Sequence, residues 1–155
     1  MSIFQQFLEN QILMCAAAGW CVAQVIKALI DMWTNGRFRF ERLYGNGGMP
    51  SSHSATVCAM FTSAACAYGF SSYQFAICFM MAVIVMVDAM GVRRETGKQS
   101  KLLNLMMKED FWDFADPEKT QMRLKEFMGH TPLQVFCGAA LGIVVALLLE
   151  GIVYG

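Results

Sequence analysis

The sequence predicts an all-α polytopic membrane helical bundle, with about four transmembrane helices plus short amphipathic cytoplasmic helices. Three observations predict it. Of 155 residues, 56% are apolar and only 15% are charged, whereas a soluble domain carries about 25% charged residues. The apolar residues gather in four runs, near 12–30, 53–69, 73–90 and 133–154. All twelve Lys and Arg fall in two stretches between those runs or at their edges, 27–42 and 91–129.

A spanning helix needs about 20 largely apolar residues, with roughly 17 tolerated. The first run meets this length and is interrupted only by Gln24 and Lys27. The second is rich in Ala, Ser, Thr and Cys, and the third contains a single acid, Asp88. Both draw on flanking residues to complete a span. The fourth qualifies by length, with Glu150 as its only charge. Between the third and fourth runs, 98–114 reads as an amphipathic helix with Leu102, Leu105, Met106, Phe111 and Phe114 toward one face. Pro117 favours a new start, and 121–128 forms a second short helix stopped by Gly129. Both are expected to lie on the lipid headgroups. Residues 1–155 therefore read as a single membrane-embedded domain with a helical loop at 91–131.

Charge placement sets the expected threading. Lys27, Arg37, Arg39 and Arg42 occupy one loop region, and the other eight basic residues occupy the long loop; the turn at 70–72 and both ends carry none. Four spans put every Lys and Arg on one side, so both charged loops are expected in the cytoplasm and both termini outside. The zero net charge argues against a nucleic-acid partner. Six cysteines lie within apolar runs and read as buried free thiols. The first ten residues hold no basic residue, so no cleavable leader is expected.

The two histidines each stand where an apolar helix should begin. Before His53 comes Gly47-Gly48-Met49-Pro50-Ser51-Ser52, with glycines for close backbone approach and a serine for a cap. A helix start of this kind presents unpaired N–H groups and a positive dipole end, which bind phosphate. His130 is followed by Thr131-Pro132, again a cap and a first-turn proline. Between them, Asp88 precedes Arg93 and Arg94 by about one and a half turns, and an ionisable residue in a span is a functional candidate. Arginine offers a fork for phosphate oxygens and Lys27 a point charge. Two imidazoles, cationic donors and a buried carboxylate fit phosphoryl transfer. No P-loop or dinucleotide fingerprint is present, so no nucleotide cofactor is expected.

The blocks Gly-Gly-Met-Pro-Ser-Ser-His-Ser-Ala (47–55), Asp-Ala-Met-Gly-Val-Arg-Arg (88–94) with Gly97 and Gln99, and Gly-His-Thr-Pro (129–132) resemble the divergent branch of the phosphatidic-acid phosphatase type 2 superfamily. That branch is often labelled acid phosphatase/vanadium-dependent haloperoxidase-related. The resemblance runs from Lys27 to about Gly142. It implies that Ser51 and Ser52 contact phosphate, that His53 is the general acid and that His130 is the nucleophile forming a phosphohistidine. Lys27 resembles the lysine opening the superfamily's first motif, with Arg93 and Arg94 replacing its arginines. Four residues after His130 stands Gln134, where the standard branch has Asp. Gln134 can orient an imidazole but cannot stabilise its charge, a duty that Asp88 is expected to take. Four spans are fewer than the superfamily's usual six, so a homodimer is expected to wall in the site.

The expected activity is hydrolysis of a lipid phosphomonoester or diphosphate in the bilayer, without a metal because side chains supply the cations. The alternative is a non-catalytic lipid-phosphate binding or transport component that retains the anion pocket.

Overall fold

The computed structural model describes residues 2–36, 48–108 and 131–154. Every regular element among them is helical: α1 (Ile3–Leu8), α2 (Gln11–Asn35), α3 (Ser52–Tyr68), α4 (Tyr73–Met90), α5 (Val92–Lys108) and α6 (Pro132–Leu149), followed by a π-helical turn, Glu150–Tyr154. Four of these coincide with the four apolar runs to within a few residues. The short α1 was not foreseen. It forms because Ser2 and Gln5 cap each other reciprocally, and it buries none of its residues.

The helix ends follow local chemistry. Asn10 accepts the Leu13 N–H at the start of α2, and Gly36 ends it with φ 64°, a left-handed conformation that only glycine adopts cheaply. Ser72 caps α4 by accepting the Phe75 N–H, while its hydroxyl donates to the Gly69 carbonyl at 2.7 Å. This closes a tight α3–α4 hairpin. Phe61 meets Phe75 and Phe79 edge-on, with centroids 6.3 and 5.7 Å apart, and seals the two helices together.

α3 is the central helix, packed against α2, α4 and α6. Its buried residues are nearly all small: Ser52, Ser54, Ala55, Val57, Cys58, Ala59, Thr62, Ser63 and Ala64. Glycines on its neighbours let backbones touch. A methyl group at Gly19 of α2 would stand 2.9 Å from the Ala59 Cβ and 3.0 Å from the Ala55 carbonyl oxygen. On α6, one at Gly138 would collide with the Ser51 carbonyl, and one at Gly142 with the Ala55 carbonyl. Lipid tails are as apolar as leucine, so helices in a bilayer associate through such close van der Waals contact rather than through hydrophobic burial. Large side chains accordingly point outward, among them Trp20, Ile77, Met80, Ile84, Phe136 and Leu148.

Three helical stretches among the described residues are long and apolar enough to cross a membrane: Gln11–Thr34, Tyr73–Met106 and Pro132–Tyr154. α3 has 17 residues and spans about 25 Å, against a hydrocarbon core of about 30 Å. Its neighbours shield it from lipid, which is why its residues are small rather than bulky.

The loop departs from expectation. α5 begins directly after Gly91, well before residue 98. Among its described side chains, Gly97, Ser100 and Asn104 are buried, while Leu102, Leu103 and Leu105 are exposed. The small and polar stripe faces protein and the leucines face outward. Phe111, Phe114, Pro117 and the helix expected at 121–128 lie outside the described residues. The cysteines are free, but only Cys15, Cys58 and Cys78 are buried; Cys137 is half-buried, and Cys21 and Cys66 are exposed on the outer surface, where lipid satisfies a thiol as well as protein does.

Gly142→Ala should destabilise the protein by about 2 kcal/mol, because both the glycine and the carbonyl it meets belong to helix backbones that cannot yield separately. Gly151→Ala, which meets nothing within 4 Å, should change stability little. Unfolding of the two variants in detergent checks the contrast.

Candidate functional site

The site-bearing residues gather at one end of the bundle. Gly48 adopts φ 93° and precedes a cis Met49–Pro50 peptide, and the chain then enters α3 with Ser51 as its cap. Ser51 is fully buried. Its Oγ accepts from the Ser54 N–H at 3.4 Å and from the Ser54 hydroxyl at 3.0 Å, and its own N–H donates to the Gln134 carbonyl at 3.0 Å. The expectation that Ser51 contacts phosphate thus meets a serine turned inward, holding α3 to the first turn of α6. Ser52, only 3% exposed, and the half-buried His53 follow on the helix's first turn. First-turn amides of an α-helix point out of its end without intrahelical partners.

Lys27 of α2 is 4% exposed. Its stem lies against the chain entering α3: a Cβ at Gly48 would be 3.5 Å from Lys27 Cγ and 3.6 Å from Cδ. A Cβ there would make only ordinary contact with the lysine stem, so the glycine answers to its φ of 93° rather than to space. Lys27 is also recessed, because α2 continues to Asn35, eight residues and about 12 Å further. Gln24, Lys27 and Asp31 share one flank of α2, within about 60° of one another at 3.6 residues per turn. Gln24 is 7% exposed, and its Oε1 is buried without a hydrogen-bond donor among the described residues.

Asp88 is half-buried near the end of α4. The Gly91 N–H bonds the Val87 carbonyl at 2.8 Å, and the Gly91 carbonyl accepts from Glu95 N–H at 3.1 Å, so a single residue separates α4 from α5. The backbones of Arg93 and Arg94 occupy the first turn of α5, at the same end of the bundle as Asp88; their side chains lie outside what is described.

α6 begins with a reciprocal cap. Thr131 Oγ1 accepts the Gln134 N–H at 3.4 Å, and Gln134 Oε1 accepts the Thr131 N–H at 3.1 Å. Gln134 was expected to orient an imidazole; its side-chain oxygen holds the backbone next to His130. His130 itself lies outside the described residues. The first turns of α3 and α6, which begin the two histidine blocks' helices, are joined by the Ser51–Gln134 bond. Among the described residues no three His, Cys, Asp or Glu side chains stand close enough to share a metal ion.

Sequence reasoning missed a polar cluster at the opposite end. Glu150 accepts from the Gln11 side-chain amide, from the Ser63 hydroxyl at 2.7 Å and from the Cys15 thiol at 3.6 Å. These tie α2, α3 and the end of α6. The signal available was Glu150, an unpaired carboxylate in an apolar run; its donors are ordinary span residues that only tertiary structure brings together. Gln24 was likewise visible only as an interruption of the first run.

Comparison with known proteins places the chain in a family. The model of the Divergent PAP2 family matches residues 8–145. The chain is 39% identical over 153 residues to the uncharacterized membrane protein YuiD of Bacillus subtilis (strain 168), covering 93% of this chain and 96% of that protein. No solved structure matches the chain. The match spans the bundle from the end of α1 to α6 and includes every residue of the site end, so the chain is an integral membrane protein that belongs to the Divergent PAP2 family.

Proposed function

We propose that this protein is a lipid phosphatase that hydrolyses a lipid phosphomonoester or diphosphate through a phosphohistidine intermediate, using side-chain cations and no metal. The observation that carries the reading is Lys27, buried beside Gly48 at the entry to α3 and about two turns below the end of α2. A cation recessed to that depth next to a helix start suits an anion attached to a lipid.

In this reading Lys27, Arg93, Arg94 and Ser52 hold the phosphoryl oxygens, with the first-turn amides and dipole of α3 adding to the field. A ring nitrogen of His130 attacks phosphorus in line. The bond from phosphorus to the lipid oxygen breaks as His53 delivers its proton to that oxygen, releasing an alcohol, or a monophosphate when the substrate is a diphosphate. Water then attacks the phosphohistidine, passes a proton to His53, and phosphate leaves. Asp88 stabilises the His130 imidazolium from α4. Ser51 and Gln134 act through the backbone, fixing the two helix starts on which the histidines stand. The charge distribution orients the site toward the cytoplasm, with both termini outside.

One observation favours a second reading. The Gln134 oxygen, at the position where a charged partner would face His130, is engaged by the Thr131 N–H, which fits a lipid-phosphate binding or transport component without turnover. Phosphate release from lipid phosphates by the purified protein separates the two: release that falls to background in His130→Ala supports the enzyme, and binding without release in the wild type supports the binder. Asp88→Asn should lower kcat by about two orders of magnitude or more while changing the affinity for the lipid phosphate little, as expected when an imidazolium loses its counter-charge. Steady-state kinetics alongside equilibrium binding reads both quantities.

A further inference from the structure

We propose that Gln24 is a specificity residue that selects lipid phosphates carrying a hydrogen-bond donor, a hydroxyl or an amide N–H, within a few bonds of the phosphoester. The inference rests on the lipid-phosphate site described above and names the chemistry of the lipid it takes. Gln24 is 7% exposed, and its Oε1 is shielded from water with no donor among the described residues. A buried acceptor left unpaired is destabilising, and such a group in a native protein requires a reason. It sits one turn deeper than Lys27 on the same flank of α2. The register of α2 on α3 runs from Gly19 against Ala55 and Ala59 to Lys27 beside Gly48, which puts Gln24 at the depth of Ser51 and Ser52. That is the membrane side of the anion site, where the first atoms of the lipid beyond its phosphate must lie. An ionised phosphate oxygen only accepts, so it cannot satisfy a carbonyl. A hydroxyl or amide on the adjoining carbons can.

A site that leaves a buried acceptor for a substrate hydroxyl rejects the analogue lacking it, because the acceptor then stays unpaired. The test uses 1-acylglycerol 3-phosphate and its 2-deoxy analogue, 1-acylpropanediol 3-phosphate, which differ by one hydroxyl. Their affinities for the purified full chain are measured by ligand-induced thermal stabilisation in detergent, a readout independent of turnover. The hydroxyl lipid should bind wild type about tenfold more tightly or better. Gln24→Leu and the similarly shaped Gln24→Met should each erase that ratio by weakening the hydroxyl lipid alone. Equal binding of the two lipids by wild type overturns the proposal whether or not the variants fold, as does a ratio that survives both substitutions, or failure of both lipids to bind. A tenfold ratio without phosphate release leaves Gln24 in this role and rejects the phosphatase reading instead.

Discussion

The fold depends on the closeness with which α3 meets its neighbours. Gly19, Gly138 and Gly142 bring the backbones of α2 and α6 against α3 so tightly that a methyl group would overlap α3's own carbonyls or side chains. In a soluble protein such contacts supplement a hydrophobic core. In a bilayer they replace it, because exchanging a lipid neighbour for a protein one gains little except packing. The outward-facing Trp20, Ile84 and Phe136 follow from the same constraint: bulky side chains between α3 and its partners would separate the backbones that hold the bundle together.

Close packing fixes distance, and polar bonds fix register. α3 carries one at each end, the Ser51 N–H on the Gln134 carbonyl and the Ser63 hydroxyl on Glu150. The two serines are about 18 Å apart along the helix. A stripe of alanines slides easily past glycines, since each step presents nearly the same surface. Two hydrogen bonds at separate levels permit only one alignment of α3 with α6. In that alignment the first turns of both helices come together at the end that also holds Lys27.

The sequence made the bundle legible because run length and charge placement are properties of the solvent, and the bilayer imposes them on any chain that crosses it. The boundaries of α2, α3, α4 and α6 follow from that. The starts of α3 and α6 were legible for a local reason: Ser51 and Thr131 are cap residues beside prolines. What escaped was tertiary. The serine pair at 51 and 52 reads as two equal phosphate contacts; packing buries both and commits the Ser51 oxygen to Ser54. The reciprocal cap that Gln134 makes with Thr131 was not foreseen either. Periodicity marked the apolar face of α5, whose leucines are exposed, but not that the opposite stripe at Ser100 and Asn104 is buried against protein.

Ser51 shows how a helix start is satisfied inside the bundle. Ser52, about 100° further round the helix, is buried as well, at 3% exposed. Ser51 gives its oxygen to Ser54 and its N–H to α6, which leaves none of its main-chain donor capacity for an anion. That commitment fixes the first turn of α3 against the first turn of α6. A Ser51 hydroxyl aimed at a ligand would leave the Ser54 amide uncapped inside the protein. The cap serine is therefore committed to structure, because a helix start placed inside the protein has no water to satisfy its amides.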